Sequence, residues 1–315
     1  MKKNFTKIII MILLVFSLTG CTKYLKDKDG KIIKNEITGQ NLPSNILCQP
    51  EDKNVIKIYK EKKVKISKLP KCTSYSITDG SYEGLWDTIF VKPLAWLILK
   101  VGQTFKSYGL AIIIVILLIR MVLYPVTKKT AMQSENMKNA KPELDRLEKK
   151  YAGKDQNDQN IMMQKSTEML AIYKKYNINP MSGCLFSFIQ IPLFFAFYEA
   201  LYRLPAIYED TFLGFELGTT PSIALSKGNY LYLIFTILVV AMTYFSFKLN
   251  STATMSSEQE SQMKMMSTFM VVFIGIASFS ISTGIAVYWI SNSLFTIIQN
   301  LLVKRRRAVK WKYMK

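Results

Sequence analysis

One arginine interrupts an otherwise apolar stretch, Leu110-Ala-Ile-Ile-Ile-Val-Ile-Leu-Leu-Ile-Arg120-Met-Val-Leu-Tyr-Pro125. A guanidinium deep in a bilayer costs about 2.5 to 17 kcal/mol, depending on how far water and lipid rearrange around it, so an intramembrane arginine calls for a partner or a wetted surface. Such a cation can pair transiently with an acidic group and offset part of that group's desolvation. The plainer reading is snorkelling. Only about six residues, roughly 9 Å of helix, separate Arg120 from Thr127-Lys128-Lys129 and the headgroups.

Other polar groups in apolar surroundings weigh against that reading. The last apolar segment carries Trp289, Asn292, Ser293, Thr296, Gln299 and Asn300. These follow the first of them by three, four, seven, ten and eleven positions, so they share one helical face. An earlier segment adds Ser187 and Gln190 ahead of Pro192. Ser187, Ser293 and Thr296 are accounted for as interhelical hydrogen-bond partners, worth about 0.6 kcal/mol each on average. Arg120, Gln190, Trp289 and Asn292 together predict more: a polar, wettable cavity in the cytoplasmic half of the membrane, where water keeps the arginine charged.

No catalyst is expected from this inventory. The chain of 315 residues has no histidine, which removes Ser-His-Asp and Cys-His triads, His-based metal sites and His proton relays. Neither a Walker A loop nor a dinucleotide glycine pattern is present. No catalytic residue, metal site or small-molecule substrate is predicted.

The elements that must position these groups follow from composition. Half of the residues are hydrophobic, and the formal charge is +20. In a polytopic membrane protein that charge points to anionic lipid headgroups or ribosomal RNA. Residues 1–20 read as an export signal, with a basic start, an apolar core and a small-residue end too short to span permanently. Leu18-Thr19-Gly20-Cys21 resembles the bacterial lipoprotein box, which would leave Cys21 as an N-terminus carrying diacylglycerol and an N-acyl chain. No other cofactor is expected. Cys48 and Cys72 fall in the exported part, where a disulfide between them and two separate thiols are both compatible with the sequence.

Residues 21–80 form a lysine-rich extracytoplasmic segment with few large apolar side chains, expected to be weakly structured, with a short hairpin hinted at 55–59 and 64–67. Residues 84–105 carry two tryptophans, but Asp87, Lys92, Pro93 and Lys100 leave no clean apolar window. They predict an interfacial amphipathic helix, with a sixth span as the alternative. Five spans follow, at 108–126, 181–204, 230–247, 265–280 and 284–303, the fourth of them short. Residues 128–179 hold eleven Lys/Arg and seven Asp/Glu, and residues 304–315 hold seven basic and no acidic residues. The loop at 202–229 has Arg203 and Lys227 against Glu209, Asp210 and Glu216. Charge bias therefore places 128–179 and the tail inside and the loop outside. Apolar residues at near-helical spacing make 128–179 a cytoplasmic helical hairpin with a polar tip at 152–158. The fold class is an all-α integral membrane protein, with a five-span core over 81–303 and a basic tail over 304–315.

The ordered motifs Arg120-Met-Val-Leu-Tyr-Pro-Val-Thr127, Tyr173-Lys174, Asn179-Pro180-Met-Ser-Gly183-Cys184, Ile189-Gln190-Ile-Pro192-Leu-Phe-Phe and Tyr288-Trp289-Ile-Ser-Asn292 resemble those of the YidC/Oxa family of membrane protein insertases. The similarity covers about residues 84–305, and the lipoprotein signal is similar to the short bacterial forms. The resemblance implies a hydrophilic groove open to cytoplasm and lipid, with Arg120 as its arginine, Gln190 as the second-span glutamine and Trp289 as the last-span aromatic. It also implies a bacterial plasma-membrane location, with the lipid-anchored N-terminus outside and the C-terminus in the cytoplasm. Two departures stand out. Ile116 replaces a frequent polar residue, which predicts a drier upper groove, and Ser282 replaces a frequent proline, which leaves the turn between spans four and five undefined. Expected partners are nascent membrane proteins, the ribosome, the Sec translocon and anionic lipids. Lys304, Arg305, Arg306 and Arg307 fit either ribosomal RNA phosphates or lipid headgroups. The competing functional reading is an anion-binding transporter or channel, against which the sequence shows no repeated halves and no paired broken spans.

Overall fold

The computed structural model describes residues 22–155, 158–179, 182–250 and 257–312, with the backbone alone at 182–189, 250, 257–263 and 306–312. The described chain is mostly helical. Its longer helices are α1 (Lys53–Glu61), α2 (Lys92–Phe105), α3 (Tyr108–Tyr151), α4 (Gln159–Lys175) and α5 (Ser182–Arg203). The short α6 (Pro205–Tyr208) and α7 (Pro221–Ser226) precede α8 (Leu233–Asn250), α9 (Ser257–Ser278) and α10 (Thr283–Lys312). Among the described residues, three helical stretches are long and apolar enough to cross a membrane: Tyr108–Tyr151, Tyr230–Leu249 and Thr283–Arg305. Lys264–Ser278 is apolar but shorter. Contacts divide the described residues into two compact units, those within 22–118, 191–236 and 278–289 in the first and those within 119–190, 237–277 and 290–312 in the second.

In the first unit, residues 22–82 are folded, where the sequence predicts weak structure. The hairpin hinted at 55–59 and 64–67 is instead α1 and the loop that follows it. Val55 and Tyr59 fit either an alternating strand or an i, i+4 helical pair, and the cap decides: Asp52 Oδ1 accepts from the backbone N–H of Asn54 and Val55 at 2.8 and 2.9 Å. Val55, Tyr59 and Ile66 bury against Leu25, Leu42, Ile46 and Tyr208. Few apolar side chains suffice because residues 203–210 supply the other wall of this core. Leu47 N–H donates to the Arg203 carbonyl at 2.9 Å, and Glu51 N–H donates to Glu209 Oε2 at 2.9 Å. Packing here is close enough that burial pushes the Glu209 carboxyl up to about 7.

Cys48 and Cys72 form a disulfide with Cα atoms 4.9 Å apart. It closes a loop over a sequence separation of 24. Closure of a loop of that size removes enough unfolded-state entropy that Cys48→Ser is expected to destabilise this region by about 2–4 kcal/mol. Limited proteolysis of residues 49–71 checks this. Equal cleavage rates with and without the bond would remove the disulfide from the stability of the unit.

The π-helical turn Asp87–Val91 and α2 run on from this segment. Trp86, Val91, Leu94, Ala95, Ile98 and Leu99 are buried, while Leu85, Ile89, Phe90 and Phe105 are exposed. One side of this stretch is therefore packed, and apolar side chains are also left exposed on it.

Helix α3, which begins in the first unit and continues in the second, differs from expectation in length. The first span and the first arm of the charged segment are one 44-residue helix, with Pro125 and Pro142 inside it. Between Thr127 and Tyr151 the chain holds no glycine, and its lysines, alanines, methionines and glutamates favour continuation. Leu144 and Ala140 of α3 pack against Tyr173 of α4, with Met137, Met169 and Ile172 at the margin. Lys150 pairs with Glu168 at 2.7 Å and Lys175 with Glu143 at 2.5 Å. Such exposed pairs contribute little, so the apolar seam is the main attachment. The connection from α9 to α10 is four residues long. Ser282 closes it by accepting from the N–H groups of Ile285 and Ala286, both at 3.0 Å, which defines the turn without a proline.

Candidate functional site

Arg120 lies on α3 with 2% of its surface exposed, one of the largest fully buried side chains in the protein. Its Nε donates to Asn292 Oδ1 of α10 at 2.7 Å, and Nη2 donates to Gln190 Oε1 of α5 at 2.6 Å. Nη2 also donates to Asn292 Oδ1. All three residues belong to the second unit. The sequence predicts water around this cation, whereas here two carboxamide oxygens meet it. Their dipoles face the guanidinium, and each of these hydrogen bonds is charge-assisted on the donor side.

Seven residues along the same face of α3, Thr127 Oγ1 donates to Gln299 Oε1 at 3.1 Å. Gln299 likewise lies seven residues after Asn292. Both pairs are separated by 172 positions, and a constant offset over two helical turns requires α3 and α10 to run parallel and in register. Thr127 and Gln299 are buried, as are Ser293 and Thr296. The polar face of α10 read from its spacing is therefore turned inward in this unit.

Beside the pairing lies a cavity of about 300 Å³ lined by Met121, Tyr124, Phe295, Ile298, Gln299 and Leu302. Its lining is mostly apolar, with Gln299 and Tyr124 the residues in it that carry polar groups.

Trp289, expected alongside Arg120, falls in the first unit. There it meets Phe194 edge to face, with ring centroids 5.3 Å apart, and Phe194 also packs on Tyr288 at 6.1 Å. Ile116, the residue expected to dry the groove, is fully buried in the same unit. Cys21 lies outside the described residues. Lys304 and Arg305 are exposed on the last turns of α10, and at Arg306 and Arg307 the description concerns the backbone alone. No group of three or more His, Cys, Asp and Glu that could hold a metal occurs among the described residues.

A second buried charge cluster is absent from the sequence reading. Arg203, at the end of α5, is 1% exposed and donates through Nη1 to Asp87, which is fully buried. Its Nε donates to the Asn45 carbonyl at 2.7 Å and its Nη2 reaches Glu83 Oε2 at 3.3 Å. Lys92 Nζ lies 4.0 Å from Asp87 Oδ2 and donates to the carbonyls of Asp79 and Ser81 at 2.7 and 3.1 Å. The sequence offered a signal, since Asp87 and Lys92 break an apolar amphipathic stretch. Arg203 alone reads as an ordinary loop charge, and its partner is 116 residues away.

The family model described as "60Kd inner membrane protein" matches residues 100–310. A protein of Oceanobacillus iheyensis named membrane protein insertase YidC is 34% identical over 246 residues, covering 77% of this chain and 93% of that protein. A protein of the same name from Alkalihalophilus pseudofirmus is 36% identical over 218 residues, 69% of this chain and 81% of its own. Membrane protein insertase MisCA of Bacillus subtilis is 34% identical over 220 residues, 70% and 79% respectively. Among solved structures, "Active YidC insertase crystal structure with the first transmembrane domain resolved" is similar with a TM-score of 0.43 and 19% identity, over 79% of this chain and 53% of that one.

Proposed function

This chain belongs to the 60Kd inner membrane protein family and is a membrane protein insertase of the YidC type, and from that premise we propose that Arg120 receives the polar tail of a client segment on its way across the bilayer. The observation that carries the proposal is the convergence of Arg120, Gln190 and Asn292 from three helices. A client's apolar segment of about 20 residues is at home in lipid, and only its polar tail resists crossing. In the resting arrangement the guanidinium is held by neutral amide oxygens. An acidic tail residue that displaces one of them exchanges a neutral acceptor for a charged one, a stronger hydrogen bond that offsets part of the carboxylate's desolvation. Release follows from burial of the apolar segment in lipid, at about 25 cal/mol per Å². No nucleotide or cofactor enters these steps.

The core is a five-span bundle of α3, α5, α8, α9 and α10, with α2 lying along the interface. The parallel direction of α3 and α10 within the second unit requires an odd number of crossings between them, which the three helices α5, α8 and α9 satisfy. Residues 22–80 then lie outside, attached by lipid on Cys21, and the hairpin of α3 and α4 and the C-terminal tail lie in the cytoplasm. Gln190 and Asn292 meet the client with Arg120, and Trp289, packed on Phe194 in the first unit, contacts it separately. Nascent membrane proteins are the clients. The ribosome, the Sec translocon and anionic lipids are the partners, with Lys304, Arg305, Arg306 and Arg307 placed to meet phosphates. The transporter or channel reading is not favoured, since the relatives are insertases.

A photoreactive residue at position 190 or 289 tests the path. Ribosome-stalled chains bearing a polar tail ahead of an apolar segment are expected to crosslink from both positions. Val122, 77% exposed, serves as the lipid-facing control. Adducts from 122 with none from 190 or 289 would overturn the proposed path.

A further inference from the structure

From Lys53 to Lys71 the chain carries eight lysines against a single acidic residue, Glu61. All but Lys62 are exposed, and none of them forms a salt bridge among the described residues. An ordinary solvated surface interleaves both signs, and this one does not.

These charges are held on a fixed frame. On α1, Val55 and Tyr59 point into the core, and Lys53, Lys57 and Lys60, at i, i+4 and i+7, share the opposite face. Tyr59 donates to the Pro43 carbonyl at 2.6 Å, and the Cys48–Cys72 disulfide brackets the whole segment. Gln103 Nε2 of α2 donates to the Cys72 carbonyl at 3.1 Å. The basic segment is thereby tied to the end of the amphipathic helix where Phe105, Lys100 and Lys106 are all exposed. Lys63 and Lys106 both adopt left-handed backbone, with φ of 57° and 53°. Glycine is the unstrained choice at such positions, yet both carry a charge.

Residues 22–80 contain thirteen lysines and no arginine. Compact, mobile ammonium groups suit diffuse attraction to a charged plane, whereas discrete carboxylate recognition favours the bidentate arginine fork. We propose that the 53–71 face is an electrostatic foot resting on the phosphate headgroups of anionic phospholipids in the outer leaflet, beside α2. This rests on the placement of residues 22–80 outside. Each lysine near an anionic surface strengthens association roughly fivefold, so several acting together hold the folded segment down against the bilayer.

The test uses the full chain with a fluorescent residue at Ser67, reconstituted into vesicles containing a lipid with a headgroup-attached quencher. Quenching is expected to be roughly threefold greater with about one third phosphatidylglycerol than with phosphatidylcholine alone. It should fall when salt rises from about 0.1 M to about 1 M, which shortens the screening length from about 10 to about 3 Å. It should also fall when Lys53, Lys57, Lys60, Lys63 and Lys65 are all changed to Gln. Equal quenching in both lipids, or quenching unmoved by the five changes, would overturn the proposal. So would a response to added soluble polyglutamate in place of phosphatidylglycerol, which would assign the face to acidic protein segments. Trypsin added to intact spheroplasts reports on placement separately. Cleavage at 53–71 is expected, and resistance until lysis would overturn the outside placement itself.

Discussion

Replacing Arg120 by alanine is expected to reduce insertion of clients with acidic translocated tails at least about tenfold in reconstituted vesicles, while clients with short neutral tails lose far less. The asymmetry follows from what the side chain supplies. A neutral tail needs only a shorter dry path, whereas an acidic one needs a charge to meet it where the dielectric is low. The alanine variant also strips the half-buried Gln190 and Asn292 oxygens of their donor, at about 1 kcal/mol for each hydrogen bond lost. A loss of folding must therefore be separated from a loss of function. Arg120→Lys keeps the charge but not the planar fork that reaches Asn292 and Gln190 together, so it should fall between the two. Equal insertion of acidic-tailed clients by alanine and native proteins, with both folded, would take Arg120 out of the mechanism.

The largest stability effect is expected at Arg203. Arg203→Ala leaves Asp87, fully buried, without its closest cation, and breaking one side of a buried ion pair costs about 3–5 kcal/mol. Lys92 cannot compensate at 4.0 Å from the other carboxylate oxygen while its own amine is committed to the Asp79 and Ser81 carbonyls. Arg203 also holds Asn45, so the variant should loosen residues 22–82 along with the turn at Asp87. Thermal unfolding in detergent and protease sensitivity of residues 22–82 both read this. The paired change Arg203→Met with Asp87→Leu, which removes both charges, should recover much of the loss, since two well-packed apolar groups can replace a buried pair. If Arg203→Ala unfolds at the native temperature, or the paired change is worse than the single one, the cluster is not what joins these elements.

Much of the fold was legible because membrane helices advertise themselves locally. The apolar run around Arg120, the brevity of the fourth apolar segment and the amphipathic break at Asp87 and Lys92 all depend on residues within a few turns of one another. The stripe from Asn292 to Gln299 could be drawn from spacing alone, and its buried members lie where that spacing puts them. Residues 55–59 misled for the same reason in reverse. Val55 and Tyr59 satisfy both the strand and the helix period over so short a span, and only the Asp52 cap, a hydrogen-bond geometry, distinguishes them. The continuity of α3 through residue 151 was missed because the change from apolar to charged residues at Thr127 looks like a boundary. For the backbone it is none, since lysine, alanine and glutamate sustain a helix as well as leucine does.

The amino-acid order alone determined that this is a helical membrane protein with a charge where a charge is costly, because periodicity, hydropathy and charge bias are properties of neighbours in the chain. Tertiary structure alone decided that carboxamides 70 and 172 residues away meet that charge, that Trp289 packs on Phe194 in the other unit, and that Arg203 closes on Asp87. Such pairings depend on which helix faces turn toward each other, and the energy that selects them is released only when distant segments pack and leave no buried donor or acceptor unmet.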